Sequence, residues 1–174
     1  DFCLSRGLGD VYKRQEEARR RGMQIAFNAS PITRELMEYP LELVDYFIIN
    51  EVEGRALAGV ASEEYDRILE GLAEQFPNAA IVLTVGEKGV LYYNHGKRLS
   101  HGIYAVKAVD STAAGDTFCG YFLAGLTKSL PMEDILKYAS MASAIAVSRQ
   151  GASTSIPTWE EVIHFEEAHT KEEL

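Results

Sequence analysis

Cysteine is nearly absent: Cys3 and Cys119 are the only two in 174 residues, too few for a disulfide framework and without metal-ligand spacing. Long apolar runs are missing as well. Tyr46–Ile49 and Ala79–Leu83 are among the longest, far short of the roughly 20 residues that span a bilayer. No stretch shows the basic start, apolar middle and small-residue cleavage site of a secretory signal. These features point to a reducing, cytoplasmic setting with no membrane partner. Positive charge is scarce too, with 17 Lys and Arg against 26 Asp and Glu and a formal net charge of −9. No basic patch offsets it, which argues against a nucleic-acid partner. Acidity leaves a phosphate ligand open, because backbone N–H groups and helix N-termini hold anions without many cations. The remaining composition, 47% hydrophobic and 25% charged, suits one globular domain with a real core.

The first residues read differently from the rest. Ser5–Gln15, SRGLGDVYKRQ, matches one reading frame of a common transposase sequencing adapter. Residues 1–15 are therefore expected to be adapter-derived, residues 16–168 to form the domain, and residues 169–174 a frayed charged tail.

After Gln15 the pattern alternates between helix and strand. Glu16–Gly22 reads as a charged helix end stopped by glycine, Gln24–Asn28 as a short buried strand, and Pro31 restarts a helix near Thr33–Glu38. Tyr46–Ile49 and Ala80–Thr84 are continuous apolar runs of strand length, and Gly89–Asn94 is a further strand across a tight turn. Glu63–Gln75 has helical spacing. Gly96–Asp110 reads as extended pieces, followed by helices at about Gly115–Leu126 and Met132–Arg149 and a last one from about Thr158. Strands apolar on both faces between amphipathic helices predict an α/β fold, Rossmann-like, with a mostly parallel sheet and flanking helices. Ligands in such sheets bind beyond the carboxyl ends of the strands. Asn28, Asn50, Thr84 and Asp110 each sit where a predicted strand gives out.

Four segments carry possible chemistry. In Asp110–Asp116, DSTAAGD, small residues leave the N–H groups of Ala113, Ala114 and Gly115 uncovered where a helix begins, an arrangement that favours the oxygens of a phosphoryl group. Asp116 then suits a group that accepts a proton from an attacking hydroxyl. A carboxylate is a weak base, but phosphoryl transfer depends mainly on positioning and electrostatics. The alternative is a well-capped helix start, with Asp110, Ser111 or Thr112 as the cap and small residues for close packing. Thr84–Gly89, TVGEKG, could turn amides and a hydroxyl toward a polyphosphate through Thr84, Gly86 and Gly89, or serve only as a strand–turn–strand connection. Asn50–Glu53, NEVE, has capping-box spacing, and Glu53 could also lie near Mg²⁺ or its waters. Gly151–Ser155 could line a monovalent-cation site or simply stop a helix. The four histidines, His95, His101, His164 and His169, lack metal spacing and read as exposed surface residues. Cys119 reads as packing, and Trp159 as an anchor for the last helix.

Taken in this order, the segments resemble the ribokinase-like, or PfkB, family of carbohydrate kinases over roughly Glu16 to Glu166. DSTAAGDTF is similar to its C-terminal signature, NEVE to its N-x-x-E motif, TVGEKG to its T-x-G-x-x-G motif, and AIAVSRQGASTSIP to the C-terminal stretch of its ribokinase branch. The resemblance implies a ribokinase-like fold and ATP-dependent phosphorylation of a sugar hydroxyl, with conversion of D-ribose to ribose 5-phosphate as the leading expectation. Fructokinase, ketodeoxygluconokinase, nucleoside kinase and a non-catalytic nucleotide or sugar sensor are the alternatives. By position it implies Asp116 as catalytic base and the amides of Ala113, Ala114 and Gly115 as the anion hole. Thr84, Gly86 and Gly89 would approach the ATP phosphates, Glu53 with Asn50 would organise Mg²⁺, and Ser140 would lie near the adenine. Asp110, Thr112, Gly151 and Ser155 resemble a K⁺-binding loop. Ser111 stands where the family usually has Thr, and Ser140 where it often has Asn or His. The family's glycine-rich substrate motif and small β-sheet lid, which commonly makes a homodimer, have no counterpart in this sequence. The fragment alone is accordingly expected to be inactive.

Overall fold

The two apolar runs become the central strands of a sheet because neither face of them meets water. Phe47, Ile48 and Ile49 in one, and Ile81, Val82 and Leu83 in the other, are all buried. The computed structural model describes residues 8–28, 30, 32–33, 36 and 39–172. They fall into two units: one runs through Gly86 and includes Leu91–Leu99, the other comprises Glu87–Val90 and Ser100–Leu174.

The first unit begins with helix α1 (Leu8–Arg20) and strand β1 (Ala26–Phe27). It continues through β2 (Tyr46–Asn50), α2 (Glu51–Ala58), α3 (Tyr65–Gln75) and β3 (Ala80–Thr84). Strand β4 (Val90–Asn94) and strand β5 (Lys97–His101) complete a five-stranded sheet of order β1-β2-β3-β4-β5. β1 pairs parallel with β2, and β2 with β3, in a register that places Asn50 opposite Thr84. β4 and β5 are joined by His95 and Gly96 alone, both with positive φ (45° and 84°). Two such residues make the tight turn of an antiparallel hairpin, so the sheet is mixed, with its parallel part at β1–β3.

Alternation along β2 and β3 sends Phe47, Ile49, Ile81 and Leu83 to one face, where they meet Leu57 of α2 and Ile68, Leu69 and Leu72 of α3. Each such side chain contributes on the order of 1.5–3 kcal/mol by leaving water. Gly54 lets α2 approach closely, since a Cβ there would lie 2.8 Å from Leu83 Cδ1.

Several expectations shift in detail. The strand expected to be short and buried over Gln24–Asn28 is paired only at Ala26 and Phe27, and as the outermost strand of the sheet it is not buried: Ala26 is exposed and Phe27 half-buried. α1 passes through Gln15 and Glu16 without a break, then stops at Gly22 in the left-handed region, φ 68°. Much of the helix expected near Thr33–Glu38, including Arg34, Glu35, Met37 and Glu38, lies outside the described residues.

The second unit is built on α4 (Ala114–Thr127), α5 (Met132–Val147) and α6 (Trp159–Glu172). The short link between α4 and α5 makes them an antiparallel pair. Gly125 brings them together, for a Cβ there would lie 2.8 Å from Ile135 Cγ1. Met141, Ala142 and Ile145 of α5 bury against Val162 of α6. Trp159 anchors the start of α6, edge-on to Tyr138 at 4.9 Å and stacked on Tyr121 at 6.3 Å. Helix α6 runs on to Glu172, through the first residues of the expected tail. His101 departs from the expected exposed surface: it is partly buried and its Nε2 lies 3.1 Å from the Tyr104 hydroxyl. No helix among the described residues is long and apolar enough to cross a membrane.

Candidate active site

In the first unit the relevant groups gather at the carboxyl ends of β2 and β3. Asn50 ends β2 and caps α2: its Oδ1 accepts from the N–H groups of Val52 (3.0 Å) and Glu53 (2.9 Å). Glu53 returns the bond, its Oε2 accepting from the Asn50 N–H at 3.0 Å, so the capping box foreseen in NEVE is complete. Glu53 is only 5% exposed, a carboxylate held in place beside the strand end. Thr84 ends β3, and its hydroxyl donates to the Ile49 carbonyl at 3.4 Å. Two residues on, Gly86 has φ 55°, and a Cβ there would meet nothing within 4 Å. The turn thus presents bare backbone to open space, a cradle that suits a polyphosphate. One buried carboxylate at the strand end is the kind of ligand Mg²⁺ takes when phosphates and waters complete its shell.

In the second unit the start of α4 is the central feature. Its N-cap is Ala113, which has no side chain to offer, and no side-chain cap is present. The Ala114 N–H donates to the Ser111 carbonyl at 3.1 Å and the Thr117 N–H to the Ala113 carbonyl at 2.9 Å. Ala114, foreseen as an anion-hole donor, therefore already has an acceptor. The N–H groups of Ala113, Gly115 and Asp116 have none among the described residues. Gly115 is exposed with open space where a Cβ would be, and Asp116 is exposed in the first turn. An uncapped helix start with free amides favours negative charge.

The loop before α4 is tied to the end of α5. The N–H groups of Val109 and Asp110 both donate to the Val147 carbonyl, at 2.8 and 3.1 Å. Asp110 Oδ1 accepts from the Thr112 hydroxyl (2.5 Å) and N–H (2.9 Å), and Oδ2 from the Gly151 N–H at 3.1 Å. These bonds, led by the Thr112 hydroxyl, hold the Asp110 carboxyl below the usual carboxylate range. Ser155 is buried, and its hydroxyl donates to the Ala152 carbonyl at 2.7 Å. Asp110, Thr112 and Gly151 are thus brought together as expected, with Ser155 closing the same loop. Among the described residues no group of three or more His, Cys, Asp or Glu could hold a metal. The oxygens shown together here are the Asp110 carboxylate and the Thr112 hydroxyl bonded to it, donors of the kind a hard cation takes.

Gly89 belongs here for a different reason than expected. Its φ is 93°, and a Cβ would lie 2.1 Å from the His101 carbonyl oxygen, so backbone packing alone demands glycine there. Ser140 lies part-buried on α5 and touches none of these groups by a hydrogen bond. The residue that does is Ser143, one turn later, whose hydroxyl donates to the Ala114 carbonyl at 3.1 Å. Only the helical phase shared with Ser140 could have signalled it. A cavity of about 310 Å³ runs along α4 from Asp116 and Thr117 to Lys128, with Tyr121, Tyr138 and Trp159 on its wall.

The family model described as pfkB family carbohydrate kinase matches residues 9–159. The chain is 33% identical over 166 residues to the ribokinase of Haemophilus influenzae, covering 93% of this chain and 53% of that protein. Among solved structures, the ribokinase of Cryptococcus neoformans var. grubii serotype A in complex with ADP matches with TM-score 0.81 at 29% identity, covering 90% of this chain and 57% of that one. A fructokinase double mutant from Vibrio cholerae O395, in a form bound to fructose, ADP and potassium ion, matches with TM-score 0.78 at 26% identity over 90% and 55% of the two chains. The chain spans about half the length of the curated relatives it matches.

Proposed function

The chain belongs to the pfkB family of carbohydrate kinases, and from that premise we propose that it carries the phosphoryl-transfer machinery of an ATP-dependent sugar kinase, with ribose as the preferred substrate. The observation that carries this reading is the start of α4, where free amides at Gly115 and Asp116 adjoin an exposed carboxylate in the same turn. A sugar hydroxyl attacks the γ-phosphorus of ATP. The bond from that phosphorus to the ADP oxygen breaks as the new one forms, and the hydroxyl proton passes to Asp116. The amides of Ala113, Gly115 and Asp116 and the helix dipole stabilise the oxygens of the migrating group. Such fixed donors, already aimed where charge develops, are the main source of rate in phosphoryl transfer.

Thr84 and the open turn at Gly86 suit the ATP phosphates, with Ser140 as the candidate neighbour of the adenine. Glu53, fixed by Asn50, would hold Mg²⁺ or its waters, and the ion supplies charge neutralisation on the phosphates when bound. Asp110, Thr112, Gly151 and Ser155 would hold K⁺ beside the segment that leads into α4. Ribose ranks first because the ribokinase of Haemophilus influenzae is 33% identical and the Ala144–Pro157 stretch has the ribokinase pattern. The fructokinase match keeps fructose as the second substrate to test.

The experiment is ADP release with MgATP and K⁺ across ribose, fructose, ketodeoxygluconate and adenosine. It is run on the chain and on the longest reading frame that contains it, each with Asp116→Ala. The expected result is turnover on one sugar by the longer frame, reduced about 10²–10⁴-fold in Asp116→Ala, the range for a lost general base. ATP binding without release on any of these substrates would favour the sensor alternative.

A further inference from the structure

The loop that brings Gly151 to Asp110 is closed at its base by a single carboxylate. Glu161 Oε2 accepts from the Thr158 N–H at 2.7 Å, and the Thr158 hydroxyl accepts from the Glu161 N–H at 3.3 Å, a capping box for α6. A capping box needs only one carboxylate oxygen. The other, Oε1, accepts from Arg149 Nη2 at 2.5 Å. Arg149 lies just before the loop and Thr158 just after it. One side chain therefore joins the two ends of residues 150–157. Within that span the Gly151 N–H donates to Asp110 Oδ2 at 3.1 Å and the buried Ser155 hydroxyl donates to the Ala152 carbonyl. The Tyr121 hydroxyl adds a tie to the Pro157 carbonyl at 2.8 Å.

The geometry points to Glu161, acting through Arg149, as a positioning residue that holds the Gly151–Ser155 loop in its cation-binding shape. This rests on the cation-loop reading above. Gly151 has φ 102°, a conformation glycine adopts without strain, so its place in the loop is set by the bonds that hold the chain on either side of it. The clasp supplies that restraint at the loop's base, where a small change in spacing moves Gly151 relative to Asp110.

The test uses Glu161→Gln and Arg149→Ala in the 174-residue chain. Glutamine can still accept from the Thr158 N–H, so the cap survives while the pairing with Arg149 is lost. Arg149→Ala leaves the cap untouched, and it decides the matter should Glu161→Gln fail to fold. Thermal midpoints are measured against KCl, with tetramethylammonium chloride holding the ionic strength. Exchange of the Gly151 amide is followed without K⁺. Wild type should gain stability with K⁺ by mass action. Both variants should need about fivefold more K⁺ or beyond for half the effect, the size of a modest coupling between sites. Their Gly151 amide should exchange faster, while the K⁺-free midpoint stays near wild type, since half-exposed ion pairs contribute little. Variants with a wild-type K⁺ response and wild-type Gly151 protection would overturn the positioning role and leave the cation reading standing. A wild-type chain indifferent to K⁺ would sink the cation reading itself, and this inference with it.

Discussion

Asn50 and Thr84 stand opposite one another as the last register pair of the two parallel central strands, and the Thr84 hydroxyl reaches back to the carbonyl of Ile49. The pairing sets a helix cap and a candidate phosphate turn side by side at the carboxyl ends of the two strands.

Asn50→Ala should cost about 1 kcal/mol, the usual loss on removing an N-cap. It frees the N–H groups of Val52 and Glu53 and removes the restraint on the Glu53 carboxylate. Asn50→Asp should keep most of that stability. Urea unfolding of the two variants checks this, and equal losses would show that the cap contributes nothing specific.

Gly89→Ala and Gly86→Ala should separate sharply. At position 89 a Cβ meets the His101 carbonyl at 2.1 Å, so backbone must move and folding should be severely impaired. At position 86 the space is open, and the cost should be about 1–2 kcal/mol for an L residue in the left-handed region. Circular dichroism melts distinguish the two; similar melting temperatures would contradict the reading.

Thr117→Val should be neutral or stabilising by up to about 1–2 kcal/mol. Among the described residues the buried Thr117 hydroxyl has no hydrogen-bond partner, and valine replaces it at nearly the same volume. A loss of stability in denaturant unfolding would mean that this hydroxyl has a partner after all.

His101 should titrate below the ordinary histidine range, because burial first and the nearby Lys137 charge second disfavour its cation. With the folded value depressed, the neutral ring's contribution is present above the unfolded value of about 6.5 and is lost as pH falls through the folded value. An NMR titration of the ring protons gives the midpoint directly. The denaturation midpoint should fall as pH drops below about 6.5, and less steeply in His101→Gln.

Much of this molecule was legible because the relevant physics is local. Continuous apolar runs of four or five residues are of strand length and too short for a helix, and Tyr46–Asn50 and Ala80–Thr84 are strands. The Asn50–Glu53 capping box is written in four adjacent residues, and the small residues of DSTAAGD do open an uncapped helix at Ala114. Other features depend on groups distant in the chain. The extent of β1 is set by its β2 partner, and the role of Gly89 by a carbonyl at His101. The use of the Ala114 amide by Ser111, and the choice of Ser143 over Ser140 as the residue touching α4, come from the path of the folded backbone. Hydrophobic period, caps and turn residues are properties of neighbours in sequence, so the sequence alone determined the elements and the family. Which amides stay free, which glycines are obligatory and which carboxylate closes the Gly151 loop are matters of distance between remote segments, and only tertiary packing decided them.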